Sequence, residues 1–136
     1  MSVMARTVRD DGPCPCGSGD GYADCCRPLH RGERGAQTAL ALMRSRFSAF
    51  ALGDAGYLLT TWHPSTRPRQ LDLDNGITWR RLQIVDTVAG TEDDATGVVD
   101  FRAQYEQRGS RHIMRECSRF TRDKGRWLYL DGDVKD

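Results

Sequence analysis

Residues 96–131 read TGVVDFRAQYEQRGSRHIMRECSRFTRDKGRWLYLD, and this stretch decides the fold class. It contains three segments in which apolar and polar residues alternate, which is the period of a β-strand with one buried face. Turn-forming residues separate these segments at 107–110 and 123–125, so consecutive strands should pair as antiparallel hairpins. We therefore predict strands at 96–106, 111–121 and 126–131.

A further strand is predicted upstream, at 78–88, after the turn residues Asn75-Gly76. Residues 90–94 connect it to the next strand, so the strand order should follow the chain. Alternation places Val99, Phe101, Ala103 and Tyr105 on one face of their strand. On the next strand it places Met114, Glu116, Ser118 and Phe120 on one face and Ile113, Arg115, Cys117 and Arg119 on the other.

The preceding region has the period of a helix. Between 36 and 51 apolar residues recur every three or four positions, and Gly53 marks the end of this helix. A shorter helix is expected from Tyr57 to Trp62, ended by His63-Pro64 because a residue before proline avoids the helical region. Two helices followed by a meander predict an α+β domain over 36–136, with the helices on one face of a curved antiparallel sheet.

The N-terminal part is different in character. Residues 1–12 are polar and without period, and we expect a flexible segment there. Residues 13–32 contain four of the five cysteines and Leu29 as almost their only aliphatic side chain. Such a segment cannot form its own apolar core, so we predict a small knuckle held together by a metal ion.

The cysteines are spaced as Cys14-x-Cys16, eight residues, then Cys25-Cys26. Structural zinc sites take four ligands from the protein in a tetrahedron, with sulfur at about 2.3 Å from the metal. Glycines at 17 and 19 allow the chain to turn sharply around the first pair, since glycine reaches positive φ without steric cost. The pattern predicts one structural Zn²⁺ per chain.

The cysteines and His30 also have alternative interpretations. A bridge between adjacent cysteines is strained, and the spacing is not the Cys-x-x-Cys of thiol oxidoreductases, so disulfide or redox chemistry is disfavoured, as is iron. His30 is expected to be solvent-exposed, with ligation or a hydrogen bond to the site as alternatives. Cys117 is expected to be a small packing residue rather than a nucleophile.

Composition limits the classes of function. The chain has 136 residues, 38% of them hydrophobic and 29% charged, with a mean hydropathy of −0.62, as expected for a globular protein. No apolar run approaches the roughly 20 residues that span a bilayer, and the first ten residues contain no apolar segment of the length typical of a secretory signal. We expect a cytoplasmic protein with reduced cysteines and no membrane partner. A net charge of +1 with scattered arginines does not indicate a nucleic-acid binder.

The cysteine segment resembles a known motif. Cys14-Pro15-Cys16-Gly17-Ser18-Gly19, with Tyr22 and Cys25-Cys26, is similar to SEC-C, the zinc-binding tail of the SecA preprotein translocase ATPase. The rest resembles the YchJ family, which joins such a motif to a nuclear-transport-factor-2-like (cystatin-like) domain. The blocks that carry this similarity are ALMRSRFSAF (41–50), TWHPSTR (61–67), ECSRF (116–120) and GRWLYLDG (125–132). The resemblance implies a cone-shaped α+β domain and a zinc knuckle, but no activity.

The sequence suggests three possible functions. The leading hypothesis is a zinc-stabilised adaptor that binds another protein. An alternative is a pocket enzyme, a dehydratase, isomerase or hydrolase, in which His63 works with Asp131 or Glu116 as general acid–base groups. The third is RNA or ribosome association through arginines beside the knuckle, disfavoured because SecA-type motifs carry lysines where this loop has Asp20 and Asp24.

Overall fold

The computed structural model describes residues 12–135, so the segment expected to be flexible lies, apart from Gly12, outside the described residues. A 3₁₀ turn at Tyr22–Asp24 is followed by three helices and four strands. These elements are α1 Arg27–His30, α2 Ala39–Leu52, α3 Ala55–Thr60, β1 Ile77–Ala89, β2 Thr96–Gln107, β3 Ser110–Asp123 and β4 Arg126–Lys135. No helix in this range is long and apolar enough to cross a membrane.

The strands form one antiparallel sheet in the order β1-β2-β3-β4, which confirms the predicted α+β meander. Two-residue turns join β2 to β3 and β3 to β4, and both residues of each turn have positive φ. This geometry matches the twist of the flanking strands, which is why short hairpins prefer it. The sheet is longer than predicted at its last strand, which continues from residue 131 to Lys135.

Helix α2 starts three residues later than the apolar pattern predicts. The hydroxyl of Thr38 accepts a hydrogen bond from the backbone N–H of Ala41 at 3.0 Å and so caps the helix. The predicted end is confirmed, because Gly53 has φ 77°. The Thr38 cap sets the start of α2. The apolar pattern predicts an earlier start because Ala36 fits the same helical period.

The core lies between α2 and the sheet, where one of the two alternating faces of β2 and of β3 meets the helix. Val99 and Phe120 are almost fully buried there. Helix α2 contributes Leu42, Met43 and Phe47 to the same cluster. Residues of high sequence separation therefore meet across this helix, and the fold depends on its position.

The N-terminus of α2 is fixed by a close backbone approach. The N–H of Ala39 donates to the carbonyl of Gly90 at 3.0 Å. Gly90 and Gly97 face each other where β1 passes into β2, and a Cβ built on Gly97 would lie 2.5 Å from the Gly90 Cα. Only glycine leaves room for this contact.

We predict that Gly97→Ala destabilises the protein by roughly 1–3 kcal/mol, because overpacking of a rigid backbone contact has a cost of this order. Gly35→Ala is the matched control, since a Cβ there meets nothing within 4 Å. Urea unfolding of both variants, followed by circular dichroism, measures the difference. Equal unfolding midpoints for Gly97→Ala and the wild type would contradict the close approach.

Candidate metal centre

The first cysteine pair sits in a turn held by backbone hydrogen bonds. The N–H of Cys14 donates to the carbonyl of Asp20 at 3.0 Å, and the N–H of Gly17 donates to the carbonyl of Cys14 at 3.1 Å. Gly17 and Gly19 have φ of 79° and 95°, as the sequence predicted. These conformations are costly for other residues, so the glycines bring the chain back toward the second pair.

The second pair follows the 3₁₀ turn. The N–H of Cys25 donates to the carbonyl of Tyr22 at 3.1 Å, which closes the turn, and Cys26 precedes the first residue of α1. This turn has 3₁₀ geometry over Tyr22–Asp24. It places two adjacent sulfurs opposite the first pair.

The four sulfurs converge with metal-site geometry. All four Sγ atoms, of Cys14, Cys16, Cys25 and Cys26, lie within 4.8 Å of one another. The Cys16–Cys25 and Cys25–Cys26 Sγ distances are 3.6 and 3.9 Å. A tetrahedral metal with sulfur at about 2.3 Å has edges of about 3.8 Å, so these separations fit without rearrangement. The group forms a site that could hold one metal ion.

The electrostatics of the cluster are compatible with a bound cation. Hydrogen bonding with Cys14 lowers the pKa of the Cys16 thiol, whereas hydrogen bonding with Cys16 raises the pKa of Cys14 to about 12. Hydrogen bonding with Cys14 and Cys16, together with burial, raises the pKa of Cys26. One thiolate therefore forms readily, and its negative charge opposes the ionisation of the next thiol. A bound dication supplies the charge that lets four thiolates share this space.

His30 joins the knuckle to the α+β domain, and its expected solvent exposure is wrong. Its Nε2 lies 2.8 Å from the carbonyl oxygen of Ser45 and its Nδ1 lies 2.8 Å from the hydroxyl of Tyr22. Because a carbonyl only accepts, Nε2 carries the proton and Nδ1 accepts from Tyr22. Burial lowers the pKa of His30, which favours this neutral form. Both ring nitrogens are occupied, so His30 positions the knuckle.

Two further contacts hold the knuckle on α2. The Arg44 Nη1 donates to the carbonyl of Cys16 at 2.9 Å, and the hydroxyl of Ser48 lies 3.2 Å from Nε2 of His30. Tyr57, from α3, packs its ring edge-to-face on His30 with centroids 4.7 Å apart. Sequence patterns gave no signal for these residues, because a polar side chain on a helix is ordinarily solvated.

The three candidate catalytic residues lie in different surroundings. His63 accepts at Nδ1 from the backbone N–H and the hydroxyl of Ser65, at 3.1 and 2.8 Å. Asp131 accepts from the Nε of Arg119, in an ion pair that also includes Asp133. Within residues 12–135 no hydrogen bond or ion pair joins His63 to Asp131 or Glu116, so the arrangement considered for an enzyme is not formed.

Glu116 is the one of the three that reaches the interior. Its Oε2 accepts from the hydroxyls of Ser118 and Tyr129, at 2.5 and 3.0 Å. The carboxylate lies against Gly132, where a Cβ would collide with it. Glu116 therefore occupies a space that a glycine leaves open, on the face of β3 that the alternation predicted.

Comparison with known proteins assigns both parts. Residues 13–28 match the SEC-C motif, and residues 38–132 match the domain described as YchJ, middle NTF2-like domain. The chain belongs to the YchJ family.

The YchJ-family chain is similar to other bacterial proteins over most of its length. A UPF0225 protein of Streptomyces coelicolor is 53% identical over 124 residues, which cover 91% of this chain and 97% of that protein. A UPF0225 protein of Deinococcus radiodurans is 51% identical over 120 residues, covering 88% and 87%. The similarity therefore includes both the knuckle and the domain.

Solved structures agree with this assignment. The solution structure of a SEC-C motif containing protein from Rhodopseudomonas palustris has a TM-score of 0.80 and 33% identity, covering 90% of this chain and 98% of that one. The crystal structure of a SEC-C motif containing protein from Psychrobacter arcticus has a TM-score of 0.72 and 26% identity, covering 99% and 85%. The YchJ-family chain shares their architecture.

We predict that His30→Ala lowers the free energy of unfolding by about 1–3 kcal/mol, because the Tyr22 hydroxyl loses its partner and the Ser45 carbonyl keeps only its bond from the Ser48 hydroxyl as a side-chain contact. The variant should still bind metal, since no ligand is removed. His112→Ala, at an exposed position, is the control. Urea unfolding with metal analysis tests both statements. Loss of the metal with unchanged stability would contradict the positioning role.

Proposed function

We propose that this chain binds one structural zinc ion and that the zinc-bound knuckle acts as a protein-binding module of the bacterial cytoplasm. The observation that carries the proposal is the convergence of four cysteine sulfurs, three of them on buried residues, at the spacing of a tetrahedral metal. Thiolate ligands favour zinc and disfavour magnesium or calcium. Reduced cytosolic thiols are available for this role.

A structural assignment follows from the ligand count. Catalytic zinc keeps one position for water or substrate, whereas four protein ligands close the coordination sphere. The knuckle has no apolar core apart from its cysteines and the ring of Tyr22. Metal binding would therefore supply its folding energy, and the contacts of His30 and Arg44 would transmit that order to α2.

The binding role is supported by a groove beside the metal site. The groove has a volume of about 360 Å³ and lies between the knuckle and the start of α2. Its rim carries Asp20, Asp24, Arg34 and Arg44, so both signs of charge border an opening at the cysteines. Mixed charge suits a peptide segment that carries both acidic and basic side chains. It suits a phosphate backbone poorly, because two carboxylates face the same opening.

Zinc content tests the first half of the proposal. Protein purified without added metal or chelator should contain about one zinc per chain by mass spectrometry, as expected for one closed site. Cys26→Ser should lose the metal, because the remaining three ligands leave an open position. Cys117→Ser is the matched control, since Cys117 lies on β3 outside the cluster. Iron in place of zinc, or full zinc content in Cys26→Ser, would refute the assignment.

Site-specific crosslinking in bacterial cells tests the second half. A photoreactive amino acid at Asp24, which borders the groove, should capture a discrete protein. The same amino acid at Arg108, in the exposed turn between β2 and β3, should capture none. Capture should disappear when Cys26→Ser is added, because the groove needs an ordered knuckle. Crosslinks to RNA at Asp24, or equal protein capture at both positions, would contradict the proposed role.

A further inference from the structure

A second site lies on the opposite side of α2 from the knuckle. A cavity of about 200 Å³ opens between α2, the end of α3 and the inward face of the sheet. Six aromatic rings line it: Phe47, Phe50, Trp62, Trp79, Phe101 and Tyr129. An engineered apolar cavity of about 150 Å³ holds benzene, and pockets for drug-sized ligands begin at about 300 Å³. The volume therefore suits one aromatic ring with a small substituent.

The cavity contains a buried cation. Arg46 is 4% exposed, and its guanidinium lies 5.0 Å from the ring centroid of Trp62 and 4.6 Å from that of Tyr129. Its Nη1 donates to the carbonyl of Leu58 and to the hydroxyl of Thr61, both at 2.8 Å. Within residues 12–135, Nε and Nη2 have no hydrogen-bond acceptor, so donors remain at the cavity wall.

The unpaired donors of Arg46 distinguish this cavity from a purely apolar space. Buried donors are nearly always paired in folded proteins, and an unpaired one has a cost in stability. The indole Nε1 of Trp62 also has no acceptor among the described residues, but it has almost no accessible surface, so a ligand in the cavity does not reach it. The Nε and Nη2 groups of Arg46 therefore point to an acceptor supplied from outside the chain.

The charge of that acceptor follows from Glu116. This carboxylate also lines the cavity, and it is linked to Arg46 through Tyr129, whose hydroxyl donates to Glu116 while its ring faces the guanidinium. Burial lowers the pKa of Arg46 to about 10, so the side chain stays protonated at neutral pH. One positive and one negative group already balance. An anionic ligand would leave an uncompensated charge in a buried site, which is strongly unfavourable.

We propose that this cavity binds a small aromatic compound with one uncharged hydrogen-bond acceptor, such as a carbonyl oxygen. The ring packs among the aromatic side chains, and the acceptor oxygen receives a hydrogen bond from Arg46. This site is separate from the metal centre and does not depend on the adaptor role.

The three tryptophans of the chain provide a built-in test. Trp62 and Trp79 line the cavity, whereas Trp127 does not, and its Nε1 donates to the carbonyl of Gln37 at 3.1 Å. The zinc-loaded full chain is titrated with acetophenone while its indole N–H signals are followed by two-dimensional NMR. The signals of Trp62 and Trp79 should shift and saturate, and that of Trp127 should stay in place. Trp62→Phe assigns the signals.

Comparison of probes tests the chemistry. Ethylbenzene has a similar ring and size without an acceptor, and benzoate carries a negative charge. Acetophenone should bind at least about fivefold more tightly than either, because a hydrogen bond from a charged donor corresponds to roughly tenfold or more in affinity. Trp62→Phe should keep this preference, because the Trp62 Nε1 does not reach the cavity. Equal affinities for the three probes would overturn the assignment of the acceptor.

A matched pair of variants tests the location. Ala103→Leu places three more carbon atoms in the cavity, whereas Gln104→Leu introduces the same side chain on the opposite, exposed face of β2. Ala103→Leu should weaken acetophenone binding at least about tenfold, the loss expected when a ligand must compete for filled space. Gln104→Leu should bind as the wild type does. Unchanged binding in a folded Ala103→Leu variant would overturn the proposal. So would the absence of saturable shifts in the wild type, which does not depend on how the variants fold.

Discussion

Helix α2 is buried on two sides, and both parts of the molecule are built against it. One side takes the knuckle through Arg44 and the Ser45 carbonyl, and the other packs Met43 and Phe47 into the core of the sheet. A helix in this position cannot rely on a polar, solvated face for its orientation. It is fixed instead by the cap at Thr38, the backbone contact at Gly90 and the contacts with His30. A substitution on either side of α2 therefore affects the backbone of the same helix.

Two buried charge problems are solved differently on these two sides. The four cysteine thiols lie close together, and four thiolates there would need a metal cation to balance their charge. In the domain, Arg46 is balanced within the chain by aromatic faces and by Glu116. The knuckle could therefore draw stability from an external ion, whereas the domain keeps a charged group in a small cavity through its own contacts.

The fold could be predicted largely from the sequence because β2 and much of β3 follow a two-residue period and the turns contain glycine. The grouping of the four cysteines could be predicted because their pairs are close along the chain and share one chemistry. The role of His30 could not be predicted, since its acceptor at Ser45 is fifteen residues away and no local sequence pattern indicates this contact. The sequence did not distinguish Arg46 from the other arginines, because its contacts with two aromatic rings depend on the position of the helix. Among the described residues, His63 forms no pair with Asp131 or Glu116. Periodicity could not decide this point, because such a pair depends on tertiary distances.

The ligand cysteines lie within thirteen residues, whereas the strands pair residues that lie between 77 and 135. Closing a short loop has a smaller entropic cost than assembling distant strands, so local sites form before long-range ones. During synthesis the knuckle leaves the ribosome well ahead of the sheet, and it has all its ligands at that moment. Metal capture can thus precede folding of the domain, and a loaded knuckle would then be in place to receive α2 as that helix is made.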